Sequence, residues 1–349
     1  MVVYRFYHPR ARDVAVSPDG QWLATAGDDS ADFGALGCDE VEDGAVRLWD
    51  LSSSDPFPAY TLPGFTDTVW TVAFSPDGQW LAAAGQDKTI AVWAIDGLDD
   101  GLPPVERYRL YDHTNTVAGL DFSANSRCLA SVGLDRTAII WEVATGRRLH
   151  TLAGHTDWIQ DVAFGPDRYS PGEEPPSEDG CGGDVYTAGR DGAIRRWYLG
   201  PSREVLTLAG HHAPVESADF SPDADRIVTA GDDGRAILWN AAGERVGELV
   251  DEAGGLGQAH DQRVNRAEFG PRGDLVATAG WDGVAKLWDA TSGDLLARLD
   301  GHVGRIHSVG FSPDGRLLAT AGQDGYARLW SGPDGECLAG PQSLPLTHI

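Results

Sequence analysis

Lysine is nearly missing from this 349-residue chain: Lys88 and Lys286 are the only two, and arginine carries almost all of the positive charge. Methionine occurs once and cysteine four times, at Cys38, Cys128, Cys181 and Cys337, with no Cys-x-x-Cys pair and no metal-like spacing. That pattern excludes a zinc module and predicts free thiols in a reducing cytoplasm. No window approaches twenty uninterrupted apolar residues, so no transmembrane helix and no membrane association are expected. The stretch Met1 to Arg12 carries Arg5, Arg10 and Arg12 and no apolar run before a cleavage site. A secretory leader is therefore not expected, and the predicted location is cytoplasmic. Helical periodicity is absent over any useful length. Also absent are a Gly-x-Ser-x-Gly elbow, a His-Glu-x-x-His helix and a phosphate-cradling glycine loop. The run Asp96 to Gly101 is acidic but lacks the spaced ligands and terminal Glu of a calcium loop, and it reads as a solvated turn. No metal and no cofactor are predicted.

What is present is acid. Against 27 basic residues stand 53 acidic ones, for a formal charge of −26. Nucleic-acid affinity rests on Lys and Arg neutralising phosphates, so that class of partner is disfavoured, although a local basic patch is not excluded. The preference for Arg and Asp fits either a GC-rich genome or a salt-rich cytoplasm, where dense negative charge keeps proteins soluble. The 42% hydrophobic content is too high for a disordered chain. Length alone allows one large domain or two to three smaller ones.

The order lies in a repeat. Trp49, Trp93, Trp141, Trp197, Trp239, Trp288 and Trp330 close seven similar segments. The last is the clearest: His302, then Ser312-Pro313-Asp314-Gly315, then Leu317 to Gly322, then Asp324-Gly325, then Ala327 to Trp330. Ser-Pro-Asp-Gly recurs at Ser17 to Gly20 and Ser75 to Gly78, with weaker copies at Gly165 to Asp167 and Ser221 to Asp223. Pro presets one turn residue and Gly supplies a flexible one, so each copy marks a chain reversal. Segments such as Ser308 to Phe311 and Arg328 to Trp330 alternate with the period of two that a strand requires. One such unit cannot bury both faces of its small sheet. Seven packed face to face around an axis can. The predicted fold is all-β, a seven-bladed propeller of four-stranded antiparallel blades spanning residues 1–349 as a single domain.

These residues resemble the WD-repeat family of β-propellers over essentially the whole chain, in a prokaryotic-type form without an appended signalling domain. Gly-His stands at Gly154-His155, Gly210-His211 and Gly301-His302, with variants at Tyr7-His8, Asp112-His113 and Ala259-His260; Trp-Asp is literal at Trp49-Asp50 and Trp288-Asp289. The resemblance implies a buried Asp–His–Ser/Thr–Trp network in each blade. The implied sets are His113, Ser131, Asp135 and Trp141; His155, Thr187, Asp191 and Trp197; His211, Thr229, Asp233 and Trp239; His260, Thr278, Asp282 and Trp288; and His302, Thr320, Asp324 and Trp330. The first unit offers His8, Thr25 and Trp49, with Asp29 or Asp43 as the acceptor. The second departs: Phe65 stands for His and Ala83 for the hydroxyl, so an apolar substitute is expected, with Asp87 capping its turn. Near-repetition argues against reading these Ser, His and Asp residues as a hydrolase triad, which needs one exposed nucleophile in a cleft. Ring closure has two candidates, a strand at 2–7 or one at 336–340, and the sequence does not choose.

The family's usual binding surface is the face around the channel at the His end. Positions just after each His or just before each turn Asp point there, and they gather Arg10, Arg12, Trp70, Trp158, Arg190, Arg263, Trp281, Arg305 and His307. The basic members concentrate on the sixth, seventh and first units, neighbours in a closed ring. Arg and Trp are enriched at binding hot spots. Two readings stand. The arginines answer acidic neighbours and the tryptophans cover loops, or the arc binds an acidic or aromatic-rich peptide of a protein partner. Insertions at about 29–43 (acidic, on the same face, as a lid or a solvated loop), 166–187 (opposite face) and 251–258 (same face as the arginines) flank the repeat. The function expected is a non-catalytic scaffold for protein–protein interaction, a monomeric propeller within a larger complex. The alternative is an enzyme or small-ligand binder using the central channel, for which the inferred rim, rich in Arg, Trp and amides, lacks clustered carboxylates.

Overall fold

Each Ser-Pro-Asp-Gly reversal is built the same way. In the second unit the Ser75 hydroxyl donates to Asp77 at 2.6 Å, the Trp80 amide donates to the Ser75 hydroxyl at 2.9 Å, and Gly78 sits at φ +70°. A Cβ on Gly78 would meet nothing, so the positive φ is what selects glycine there. These turns join the two innermost strands of the first, second and seventh units. The computed structural model describes residues 6–8, 10–28, 44–52, 57–98, 101–165, 180–181, 184–199, 203–223, 225–252 and 257–331.

The described residues form seven four-stranded antiparallel sheets, with no α-helix among them. The strands nearest the axis are β2 (Asp13–Val16), β6 (Val69–Phe74), β10 (Val117–Phe122), β14 (Ile159–Phe164), β18 (Val215–Phe220), β22 (Val264–Phe269) and β26 (Ile306–Phe311). In the first six sheets the outermost strand is the fourth in chain order. In the seventh, β1 (Phe6–Tyr7) lies outside β28 (Tyr326–Ser331), with Phe6 opposite Ala327 and Tyr7 opposite Tyr326. The segments 2–5 and 336–340 lie outside the described residues, as do the insertion at 29–43, with Asp29 and Asp43, and residues 166–179 of the other.

An apolar cluster fills every junction between neighbouring sheets. Ala82, Ala84 and Ile90 of the second blade pack on Val117, Leu120 and Trp141 of the third; Ala319, Ala321 and Leu329 of the seventh pack on Val14, Leu23 and Trp49 of the first. Alanines on the second strand of one blade leave room for the large side chains of the next. A single sheet thus has no core of its own, and the ring supplies it.

The expectation of free thiols fails for two of the four cysteines. Cys128, which opens β11 (Cys128–Gly133) in the third blade, is disulfide-bonded to Cys181, just before β15 (Asp184–Gly189) in the fourth, with Cα atoms 5.3 Å apart. Their 53-residue separation carries no local signal; blade-on-blade stacking creates the proximity. Cys38 and Cys337 lie outside the described residues.

Candidate functional site

The buried network holds the turns that frame the His-end face. In the seventh blade His302 Nδ1 lies 2.9 Å from Asp324, its Nε2 2.8 Å from the Thr320 hydroxyl, and Trp330 Nε1–H donates to that hydroxyl at 2.9 Å. Indole can only donate, so proton order runs from Trp to hydroxyl, from hydroxyl to Nε2, and from Nδ1–H to carboxylate. The same chain of bonds joins His113, Ser131, Asp135 and Trp141 and His155, Thr187, Asp191 and Trp197. It recurs through His211, Thr229, Asp233 and Trp239 and through His260, Thr278, Asp282 and Trp288. Glycine precedes each turn for a steric reason: a Cβ on Gly322 would lie 2.2 Å from His302 Nδ1. Burial pushes the Asp135 and Asp324 carboxyls up, but the hydrogen bonds from His113 and His302 prevail and hold both down at about 2. In the first blade His8 Nδ1 and Trp49 Nε1 both reach the Thr25 hydroxyl, at 2.8 and 3.0 Å. The second blade is apolar: Phe65, fully buried, packs on Trp93 with centroids 6.2 Å apart, and Asp87 accepts from the Thr66 and Thr89 amides.

A repeated β-bulge aims side chains at the axis. In blades two to seven the inner strand gains one unpaired residue after its first position: Trp70, Ala118, Gln160, Glu216, Asn265 and His307. A bulge bends the strand and redirects that side chain. Here it opens a cavity of about 330 Å³ at the channel mouth, lined from all seven blades, Arg12 and Asp13 representing the first.

The structure gathers the predicted rim residues here and divides them. Trp281 is held between two guanidiniums, with Arg263 4.1 Å and Arg305 3.7 Å from its centroid. Arg12 stacks over Trp70 at 5.4 Å and Arg190 over Trp158 at 5.0 Å. Arg263 is already neutralised, bonded to Asp232 and 3.7 Å from Glu216. Arg10, outside the cavity lining, pairs with Asp28 at 3.0 Å. Burial, with Arg12 and Arg305 beside it, presses the His307 imidazole down to about 4, so it carries no charge at neutral pH. Of the five basic or potentially basic groups placed in that arc, Arg12 and Arg305 keep no carboxylate partner among the described residues.

The rim also holds what sequence reasoning judged lacking. Asp13, Asp161 and Glu216 line the mouth, and Asp121, Asp219 and Glu268 line a second cavity of about 500 Å³ toward the other end. These carboxylates bind blade to blade. Asp13 accepts from the Val72 amide at 3.0 Å, Asp121 from Phe164 at 2.6 Å, Asp161 from Ala218 at 3.2 Å, Asp219 from Phe269 at 2.7 Å, and Glu268 from Phe311 at 3.0 Å. Arg266 reaches over the fifth blade from the sixth to pair with Asp161 of the fourth at 3.0 Å, and it lines both cavities. Burial raises Asp219 to about 6, Asp121 to about 7 and Glu268 to about 8. Their signal was readable: an acid directly before the strand-ending Phe at Asp121, Asp219 and Glu268. Among the described residues no group of His, Cys, Asp and Glu has the arrangement of a metal site, and no helix is long and apolar enough to cross a membrane.

The model of the WD domain, G-beta repeat, matches the chain seven times, at residues 3–50, 57–94, 105–142, 146–198, 202–240, 256–289 and 293–331. The chain belongs to the WD-repeat family of β-propellers. It is 39% identical over 205 residues to the small ribosomal subunit protein RACK1 of Caenorhabditis elegans, covering 57% of this chain and 58% of that protein. It is 28% identical over 208 residues to the guanine nucleotide-binding protein subunit beta of Arabidopsis thaliana, covering 57% and 51%. A shorter match, 34% over 94 residues, joins it to the target of rapamycin complex subunit wat1 of Schizosaccharomyces pombe, covering 27% and 24%. The chain spans little more than half the length of the first two of these relatives and about a quarter of the third.

Proposed function

We propose that this protein is a non-catalytic scaffold that binds a protein partner on the His-end face, through an acidic or aromatic-rich segment of that partner. The observation that carries the reading is the Arg263–Trp281–Arg305 stack, continued by Arg12 on Trp70. It is a rigid aromatic surface edged by two cations that lack carboxylate partners among the described residues, on a chain of charge −26. Guanidinium–indole stacking fixes both groups in advance, lowering the ordering cost of binding. Trp158, 39% exposed, extends the surface. The relatives support the same role, since their names place them in a ribosomal subunit, a guanine nucleotide-binding protein and a target of rapamycin complex. The repeated His-Asp-Ser/Thr sets are buried and internally bonded, so none of these hydroxyls is presented as an exposed nucleophile.

The test is capture of partners from the native cell by wild type beside an Arg12→Glu/Arg305→Glu variant. Partners held by wild type should be lost from the variant while its melting temperature stays near that of wild type. Equal capture by both would overturn the reading.

A further inference from the structure

A cation in the wall of a cavity is costly without a counter-ion, because burial strips the water that would solvate it. Among the described residues, five arginines and three carboxylates line the cavity at the channel mouth. Two of the arginines are answered, Arg263 by Asp232 and Arg266 by Asp161. The other two carboxylates of the lining are also engaged. Asp13 accepts from the Val72 amide and the Ser308 hydroxyl, and Glu216 accepts from the Gln160 side chain beside Arg263. Arg12, Arg190 and Arg305 pair with no carboxylate among the described residues, and each is laid instead on an indole, that of Trp70, Trp158 and Trp281 respectively. These three are unevenly placed. Arg12 and Arg305 flank the junction of the first and seventh blades, and together with burial they press the His307 imidazole down. Arg190 stands in the turn between the second and third strands of the fourth blade. In a ring of seven, the fourth blade faces that junction across the axis. The unanswered cations thus mark the two ends of one diameter of the mouth. Burial lowers the Arg12 guanidinium, and Asp28, already bonded to Arg10, opposes this only in part.

We propose that the channel mouth binds a small molecule with an anionic group at each end, one group on Arg12 and Arg305 and the other on Arg190. A guanidinium only donates, through five N–H groups, and a carboxylate or phosphate oxygen accepts. Bonds between such ions are about twice as strong as neutral ones. A single compact anion would answer Arg12 and Arg305 and leave Arg190 as it is, so the diameter calls for a two-ended ligand. Stacking on indole fixes each guanidinium in advance, which lowers the ordering cost of binding. The volume of about 330 Å³ lies at the small end of ligand cavities. On a chain of charge −26 the attraction is local, focused by the cavity walls rather than by the surface as a whole. The end groups are carboxylates or phosphates, and the experiment separates the two. This site goes beyond the partner reading and does not rest on it.

The probes are succinate, glutarate, pyrophosphate and tripolyphosphate, each beside a one-ended counterpart, propionate or orthophosphate. They are offered at millimolar concentration to the purified full chain and read by calorimetry and thermal shift. At least one two-ended probe should bind saturably and about tenfold or more tighter than its counterpart, the scale of one charged hydrogen bond. Whether the dicarboxylates or the phosphates bind tighter identifies the end group. Arg190→Gln should bring the two-ended probe to the affinity of its counterpart and leave the counterpart unchanged, whereas Arg305→Gln should weaken both. The comparison on wild type needs no variant, so the question is decided even if a variant folds poorly. The proposal is overturned if no two-ended probe binds, if both kinds bind alike, or if Arg190→Gln leaves the two-ended probe's affinity unchanged. No partner is present in this experiment, so its failure leaves the partner reading standing.

Discussion

Lys286 shows how much one residue carries when it is buried. Its ammonium, 2% exposed, donates to Asp251 and to the Ala259 carbonyl, both at 2.7 Å, and Arg298 joins Asp251 at 2.6 Å. The triad pins the chain entering the sixth blade beside His260, the end of the Gly-rich 251–258 insertion. Lys286→Ala should cost about 3–5 kcal/mol in denaturant unfolding, because it leaves a buried carboxylate short of a partner. Lys286→Met, which fills the space, should cost less than Lys286→Ala; equal losses would show that the filled volume is immaterial and that the lost charge accounts for the whole effect. A cation at this place recurs in the repeat, at Arg47, Arg195 and Arg328, while Ala91, Ile139 and Ile237 stand there in the remaining blades. The Asp251 partner was not legible, because it comes from the loop that enters the sixth blade.

At the scale of the element, the blades are interchangeable in backbone but not in what locks them. The second blade replaces the polar network with Phe65 against Trp93, and Ala83 stands where others have Ser or Thr. Phe65→His alone should destabilise by about 1–3 kcal/mol, since the ring nitrogens are buried without the hydroxyl. Adding Ala83→Thr should recover part of that loss, because Asp87 already sits in the acceptor's place. A double-mutant cycle showing no coupling would refute this equivalence. The Cys128–Cys181 bridge locks two blades in another way. Closing a 53-residue loop, it should contribute about 4 kcal/mol through chain entropy, measured as the loss on reduction or in the Cys128→Ala/Cys181→Ala variant. If reductant leaves the melting temperature of wild type unchanged, the bridge is not contributing.

Across the whole molecule the channel couples stability to pH. Asp219, Asp121, Glu216 and Glu268 are held at about 6, 7, 7 and 8 by burial, well above free carboxylates. The folded state therefore binds more protons than the unfolded state at and somewhat below these values, and stability rises as pH falls from about 8.5 toward 6.5. Below that, His260, His302 and His307, all lowered chiefly by burial, oppose the gain, because the unfolded chain then takes up protons the folded one refuses. Asp135 and Asp324, held at about 2, add stability that is lost only in stronger acid. Melting temperatures should peak in weak acid, and Glu268→Gln should raise the value at pH 8.5 more than at pH 6. A melting temperature that falls steadily from pH 8.5 to 6.5 would contradict this.

The seven-bladed ring was legible from residues alone, because its signals are local. Ser-Pro-Asp-Gly turns, strand alternation and closing tryptophans each act within one blade, and their repetition leaves a ring of sheets as the way to bury the sheet faces. The Arg and Trp positions of the rim were legible for the same reason, being fixed offsets from a repeated His or Asp. What lies across the axis was not. Arg266 meets Asp161 at a separation of 105 residues, and Arg263 meets Asp232 and Cys128 meets Cys181 between consecutive blades, because stacking of the blades brings together residues that no local pattern pairs. Charge at the channel mouth is set by those encounters, so only the tertiary structure decided which arginines remain available and which are already answered.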